Sequence, residues 1–353
     1  MTSDVEGAFT QAGARGGRRG EMIFSPPPVA LTRAPRTDLI ARASHLDELA
    51  FAAVDAVADR LAGALDASTS IEQIHLLTTQ VHMLRAMQGS HRSAGRLVAA
   101  GDDDMEASLD ALPIVRLQLE RCFLALLLAD HPAHWHRRYR KNAWKAFAEK
   151  FFRDQRTVGH LEPFGEYFAA SGPGIRLLRD FAREMDVNED ELQTVRQQVT
   201  GDQRDPRFAA WFIADMPTPG RCIRELRDPA CRALAELLYP CYDNLSHFSH
   251  GGLVGAMQGA ILRSGAGAAG AQEDRRRFWR TNVLEQVLPV SYVALLLVAT
   301  LFARPYLGVS DLRDTLLRAW RPYHSDGSPL GVAVWDNWAA LALQGEQARE
   351  GQS

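Results

Sequence analysis

The sequence lacks the short motifs that mark several large enzyme classes. It has no Walker-type phosphate loop, no Gly-x-Gly-x-x-Gly segment following a strand and no Gly-x-Ser-x-Gly turn. These absences disfavour nucleotide-dependent enzymes and serine hydrolases. Runs that alternate between apolar and polar residues are also missing, so strands are not predicted.

Lysine is scarce, and the basic side chains are almost all arginines. The only lysines are Lys141, Lys145 and Lys150, and the formal net charge is −3 over 353 residues. A chain so close to neutrality has no overall field that would recruit nucleic acid or a membrane surface. With 46% hydrophobic and 24% charged residues, the composition is that of a soluble globular protein able to bury a large core.

Cysteine is also rare, and its spacing predicts neither a zinc site nor a disulfide framework. The cysteines form no Cys-x-x-Cys pair, and most lie in apolar helical pattern: Cys122, Cys222, Cys231 and Cys241. We therefore expect buried, reduced thiols. A reducing compartment, the cytoplasm, fits them best.

Only one apolar run approaches the length of a membrane span. Residues 287–303 cover about 17 residues, the lower bound for crossing a bilayer, and Pro289 and Ser291 interrupt them. A helix that is apolar on every face is equally typical of the centre of a soluble bundle. We favour burial over insertion, so a membrane partner is disfavoured.

Helical periodicity dominates the rest of the chain and predicts an all-α fold, a multi-helix bundle in a single compact domain with a disordered N-terminal arm. The small residues between Gly89 and Gly95 predict that a neighbouring helix approaches closely there. The predicted organisation is a disordered arm over 1–36, a helical bundle core over 37–263, a flexible linker over 264–272, C-terminal helices packed on the bundle over 273–345, and a frayed tail over 346–353.

Charged residues interrupt an otherwise apolar helix predicted over about 112–129. Arg116 and Glu120 are four residues apart, so they share one helical face and can pair. One interpretation is a buried ion pair that sets the register of the helix. The other is a functional polar site inside the bundle.

A second polar stripe lies in YDNLSHFSHGG, residues 242–252. Asp243, His247 and His250 follow helical spacing and share one face. Asp243 and His247 are weak candidates for metal ligands, because a complete ligand set is not visible in this stretch. No cofactor is predicted.

These two stretches resemble an uncharacterised bacterial domain-of-unknown-function family of α-helical proteins. Its Arg-x-x-x-Glu motif corresponds to Arg116 and Glu120, and its Tyr-x-x-x-Ser-x-x-x-His-Gly motif runs from Tyr242 through Ser246 to His250. The resemblance implies a helical fold and a site shared by Arg116, Glu120, Ser246 and His250, in which Glu120 holds the imidazole. It implies no reaction, and whether the protein is an enzyme stays open.

A basic and aromatic segment, residues 131–160, suggests a different kind of partner. Its cations and aromatic rings can bind phosphates and stack bases, which predicts a nucleic-acid or anionic partner. However, Trp144, Phe147 and Phe151 follow the spacing of a core-facing stripe, which favours a simple amphipathic helix with its cations on the solvated face.

The preferred function is a binding, regulatory or defence-associated protein with an unidentified protein or small-molecule partner. Two enzyme alternatives accompany it. Arg85 and His91 have the spacing of HEPN-like metal-independent ribonucleases. A metal-dependent helical-bundle enzyme is the other alternative.

Overall fold

The computed structural model describes residues 36–65, 69–100, 110–200, 215–249, 288–325 and 329–344. The described part is helical and contains no strand, which confirms the all-α prediction. Several predicted segments lie outside it: nearly all of the arm over 1–36, the linker over 264–272, the beginning of the helix predicted from 273, and the tail over 346–353.

The described residues divide into two compact units, whereas the sequence predicted one domain. The first unit holds residues 1–130 and 219–353, and the second holds 131–218. The helices of the first unit are α1 (Arg36–Ala62), α2 (Ile71–Ala100), α3 (Ala111–Asp130), α8 (Pro219–Glu225), α9 (Pro229–Ser249), α10 (Leu288–Ala303), α11 (Ser310–Ser325), α12 (Pro329–Val334) and α13 (Ala340–Gln344). The helices of the second unit are α4 (Pro132–Val158), α5 (Gly165–Phe168), α6 (Pro173–Glu184) and α7 (Glu189–Thr200).

Helix boundaries follow side chains that satisfy exposed backbone groups. Asp228 accepts hydrogen bonds from the backbone of Ala230 at 2.7 Å and begins α9. Asn188 Oδ1 accepts from the backbone of Glu191 at 2.8 Å, while Glu191 Oε2 accepts from the backbone of Asn188 at 3.0 Å. This reciprocal arrangement is a capping box, and it explains why α7 begins where it does.

The apolar helix α10 is the centre of the first unit. It packs against α1, α2, α3, α11 and α12, and every residue from Val290 to Ala303 is buried. The polar side chain of Thr300 is satisfied inside the unit: its hydroxyl donates to the Leu296 carbonyl at 2.8 Å and accepts from Trp320 Nε1 at 3.0 Å. Among the described helices α10 and its continuation to Tyr306 are long and apolar enough to span a membrane, but most of that segment is buried by protein.

Only some of the small residues of α2 lie against a neighbouring helix as predicted. A Cβ atom added to Gly89 or Gly95 would meet nothing within 4 Å in the described part of the protein. The close neighbours of this helix lie instead at Ala94, which is fully buried, and at Ser90. The two glycines are therefore not required by packing.

The second unit has an aromatic core of its own. The predicted stripe is confirmed, since Trp144 and Phe151 are buried and Phe147 packs against the same cluster. Trp144 Nε1 donates to the Leu178 carbonyl at 3.2 Å, which joins α4 to α6. Because α4 buries its apolar face within 131–218, the chain forms a separate unit there, and helical periodicity alone does not show which helices share a core.

Candidate functional site

Two predicted site residues of α3 meet two residues of α9 in the first unit. Arg116 Nη2 lies 2.9 Å from Glu120 Oε1 and 3.2 Å from the Tyr242 hydroxyl. Arg116 Nε donates to Ser246 Oγ at 3.2 Å. We call Arg116, Glu120, Tyr242 and Ser246 the Arg116 cluster; it brings together residues up to 130 positions apart in the sequence.

The helices place these groups by simple periodicity. Arg116 and Glu120 are one turn apart on α3, as Tyr242 and Ser246 are on α9, so each pair presents both members to the facing helix. Phe123 of α3 packs edge-on against the Tyr242 ring, with centroids 5.9 Å apart. The guanidinium carbon of Arg116 lies 5.4 Å from the centroid of the same ring.

The hydroxyl groups orient the guanidinium through a closed set of hydrogen bonds. The Tyr242 hydroxyl accepts from Arg116 and donates to Glu120 Oε1 at 3.3 Å. Ser246 accepts from Arg116 and donates to the Tyr242 carbonyl at 2.9 Å. Arg116 is thus held in a fixed direction by three side chains, an arrangement that suits recognition of a carboxylate or phosphate.

The Arg116 cluster is open to solvent on one side. The side chain of Arg116 is 19% exposed and that of Glu120 is 36% exposed. An ion pair this exposed contributes little to stability. The pair is therefore partly buried, and its role in setting the register of the helix stays a prediction.

The remaining predicted members of the site are not part of this geometry. His250 lies outside the described residues, and so does the side chain of His247. Asp243 lies on the exposed face of α9. In the described ranges no group of three or more histidine, cysteine or acidic side chains is placed to hold a metal ion. The weak metal prediction at Asp243 and His247 therefore stays a prediction.

The cysteines are buried, as predicted. Burial raises the pKa of the Cys241 thiol to about 12, and burial with nearby acidic groups raises the pKa values of Cys222 and Cys231 to about 12. Burial also raises the pKa of the Cys122 thiol, which donates to the Ala294 carbonyl at 3.4 Å. These neutral thiols are poor nucleophiles and poor metal ligands.

Part of the basic segment of the second unit is neutralised within that unit, while Arg137, Lys150, Arg153 and Arg156 are exposed as predicted. Lys145 is 3% exposed and binds Asp215 at 2.6 Å, and Lys141 binds both carboxylate oxygens of Glu191 at 2.7 and 2.9 Å. Arg140 is also buried and lies 3.7 Å from Asp186. The prediction that the cations of this helix lie on a solvated face is therefore wrong for these residues, because acidic groups of later segments cover them.

The structure also reveals a polar network that the sequence did not predict. His91 Nδ1 lies 2.7 Å from Ser291 Oγ, and His91 Nε2 lies 2.8 Å from Asp47 Oδ1. Ser291 donates to Gln118 Oε1, and Gln118 Nε2 donates to the Met87 carbonyl at 3.0 Å. We call Asp47, His91, Ser291 and Gln118 the His91 network; it joins α1, α2, α10 and α3.

Arg85 and His91, the candidate ribonuclease pair, do not form one site. Arg85 is half-exposed and binds Asp55, whereas His91 is 2% exposed inside the His91 network. A phosphodiester has no access to a ring so deeply buried, so this geometry does not support ribonuclease chemistry at these two residues.

Comparisons with protein-family models, with curated proteins and with solved structures found no match to this chain. The class that the observations define is an all-α protein with a half-open polar cluster between two helices. The resemblance to a helical family of unknown function stays a prediction.

Proposed function

We propose that the protein is a binding protein and that the Arg116 cluster contacts a carboxylate or phosphate group of its ligand. The observation that carries this proposal is the combination of a fixed guanidinium and partial exposure. Three side chains orient Arg116, yet 19% of its side chain and 36% of that of Glu120 are exposed.

The contrast with the His91 network supports this choice. There His91, Gln118 and Ser291 are 2%, 0% and 0% exposed, so a ligand cannot reach them. A polar cluster that only joins helices can be closed in this way. The Arg116 cluster is open, and beside it Leu117 on α3 is 43% exposed, which adds an apolar surface for the rest of a ligand.

Glu120 has a specific role in this proposal. Without a ligand it neutralises Arg116 at 2.9 Å, and an incoming anion competes with it for the guanidinium. The site therefore selects ligands that offer two acceptor oxygens, because a bidentate contact with arginine is stronger than a single one.

A role in bacterial regulation or defence, in the cytoplasm, belongs to the same proposal. Four buried thiols fit a reducing compartment. The alternative of a metal-dependent enzyme rests on Asp243, which is exposed on α9, and on His247, whose side chain lies outside the described residues.

Thermal unfolding in the presence of inorganic phosphate and acetate tests the binding proposal. A ligand at about ten times its dissociation constant stabilises the folded state by about 1.4 kcal/mol. We expect stabilisation of the wild type and loss of the effect in Arg116→Lys, which removes the planar fork but keeps the charge.

Arg121→Lys is the matched control. Arg121 lies on the same helix and donates to Ser90 Oγ at 2.7 Å, away from the Arg116 cluster. This variant should retain the response to phosphate. The proposal fails if neither anion stabilises the wild type, or if the two lysine variants respond equally.

A further inference from the structure

Hydrogen-bond geometry determines the direction of every bond at one end of the His91 network. Gln118 Nε2 donates to the Met87 carbonyl, so its amide oxygen faces Ser291. The opposite amide orientation would set two carbonyl oxygens against each other. The single hydrogen of the Ser291 hydroxyl is therefore given to Gln118, and Ser291 Oγ can only accept from His91 Nδ1.

The other end of the network then requires one additional proton. His91 Nδ1 carries a hydrogen, so a neutral His91 ring would have an unprotonated Nε2. Nε2 lies 2.8 Å from Asp47 Oδ1, and an ionised carboxylate is also only an acceptor. Two acceptors at this distance need a proton between them.

We propose that Asp47 and His91 together hold one shared proton at the junction of α1, α2, α3 and α10, and that its release as pH rises weakens the attachment of α1 to α2. The Arg116 cluster shares no residue with the His91 network, so this proposal does not depend on the proposed ligand binding. Its basis is the bonded geometry of four side chains, three of them almost completely buried.

Aromatic rings limit the access of water to the shared proton. The Phe51 ring of α1 and the Tyr292 ring of α10 pack edge-on against His91, with centroid distances of 5.9 and 5.5 Å. Burial, and then the nearby Asp47 carboxylate, raises the pKa of the Tyr292 hydroxyl, so this group remains neutral. The side chain of Asp47 is 32% exposed, which leaves a route for proton release on the side of α1.

The remaining charged groups around His91 come from each neighbouring helix. On α2, Arg92 lies beyond the Phe51 ring, 4.5 Å from its centroid. On α3, Arg121 binds Ser90 Oγ at 2.7 Å, one residue before His91. On α1, Glu48 is exposed beside Asp47. α10 contributes Ser291 and Tyr292, which carry no charge.

The sign of the pH dependence follows from proton counting. In the unfolded chain Asp47 and His91 separate, and a histidine with an unperturbed pKa of about 6.5 loses its proton near neutral pH. Above that pH the folded pair holds one proton more than the unfolded chain. The stability that the pair contributes is therefore fully present between about pH 4 and pH 6.5, where the folded and unfolded chains hold the same number of protons, and it falls as pH rises above about 6.5.

The variant Asp47→Asn keeps the hydrogen bonds of the His91 network but removes the need for the shared proton. The asparagine amide donates its own hydrogen to His91 Nε2, so a neutral ring satisfies both neighbours. We expect the unfolding temperature of the wild type to fall by several degrees between about pH 6 and pH 9 beyond the fall seen in Asp47→Asn. Equal pH profiles for the two proteins would overturn the proposal.

Asp55→Asn is the matched control on the same helix. Asp55 pairs with Arg85 at the surface, where the two side chains are 47% and 44% exposed. The control makes the same change in charge and should keep the pH profile of the wild type. If it loses the pH dependence as fully as Asp47→Asn does, the shared proton is not its cause.

Nuclear magnetic resonance of the labelled full-length chain gives a readout that does not depend on variant stability. At about pH 7, a range in which free histidine is mostly neutral, we expect either a hydrogen on His91 Nε2 or a protonated Asp47 carboxyl group, together with a hydrogen on Nδ1. His91→Gln identifies the resonances by their loss. An unprotonated Nε2 beside an ionised Asp47 would contradict the proposal.

Discussion

Replacing Glu120 by glutamine distinguishes a binding site from a purely structural contact. The substitution keeps the shape of the side chain and removes the charge that neutralises Arg116. A structural contact predicts only a loss of stability. Competition between Glu120 and a ligand predicts that the same variant binds an anion more tightly, because the guanidinium then has no ionised partner at 2.9 Å.

The distances and exposures set the expected magnitude. Two unit charges about 4 Å apart attract by about 1 kcal/mol in water and about 4 kcal/mol at the effective dielectric of a protein surface. Arg116 and Glu120 are 19% and 36% exposed, so solvent screens their charges, and their partial burial costs some hydration. These two effects reduce the net contribution of the ion pair to the free energy of unfolding to about 1 kcal/mol. A comparable gain for the ligand, about 1.4 kcal/mol, corresponds to roughly tenfold tighter phosphate binding.

Isothermal titration with inorganic phosphate, combined with denaturant unfolding, measures both effects on the same samples. Glu236→Gln on the exposed face of α9 makes the same change in net charge and should alter neither quantity. The reasoning is refuted if Glu120→Gln binds phosphate with the affinity of the wild type, or if Glu236→Gln gains as much.

Three further substitutions or treatments probe the packing described above. Thr300→Val should destabilise the first unit by about 1–3 kcal/mol in denaturant unfolding, because the buried Trp320 Nε1 loses its hydrogen-bond acceptor at 3.0 Å. An unchanged unfolding midpoint would contradict this prediction. Gly89→Ala and Gly95→Ala should each stabilise α2 by about 0.5–1 kcal/mol, since an added Cβ meets nothing within 4 Å in the described part. Destabilisation would show that a neighbouring group packs against these glycines. The four cysteines should resist iodoacetamide in the folded protein at mildly alkaline pH and react in denaturant, because burial raises their pKa values. Mass spectrometry measures the labelling, and rapid labelling of the native chain would show that the thiols are exposed.

Local sequence signals were sufficient to predict most of the helices. Helical periodicity runs through the segment after Ser70, and α2 spans Ile71–Ala100. Asn188 and Asp228 are residue types that favour the first position of a helix, and they cap α7 and α9. These features depend on periodicity and on side chains a few residues away, so they are present in the sequence itself.

Part of the candidate site was predictable for the same reason. A spacing of four on each of two helices places Arg116 beside Glu120 and Tyr242 beside Ser246. That the two pairs face each other was implied only by the resemblance to other proteins, and the distances now show it for these four residues.

The tertiary structure alone decided which distant groups become partners. Asp47 and Ser291 lie 44 and 200 residues from His91, and no local pattern connects them. Asp215 reaches Lys145 across 70 residues and neutralises a lysine that packing has buried. Periodicity determines which face of a helix is buried, but the burial of a charge becomes tolerable only when chain packing supplies its counter-charge, and that pairing is a property of the assembled core.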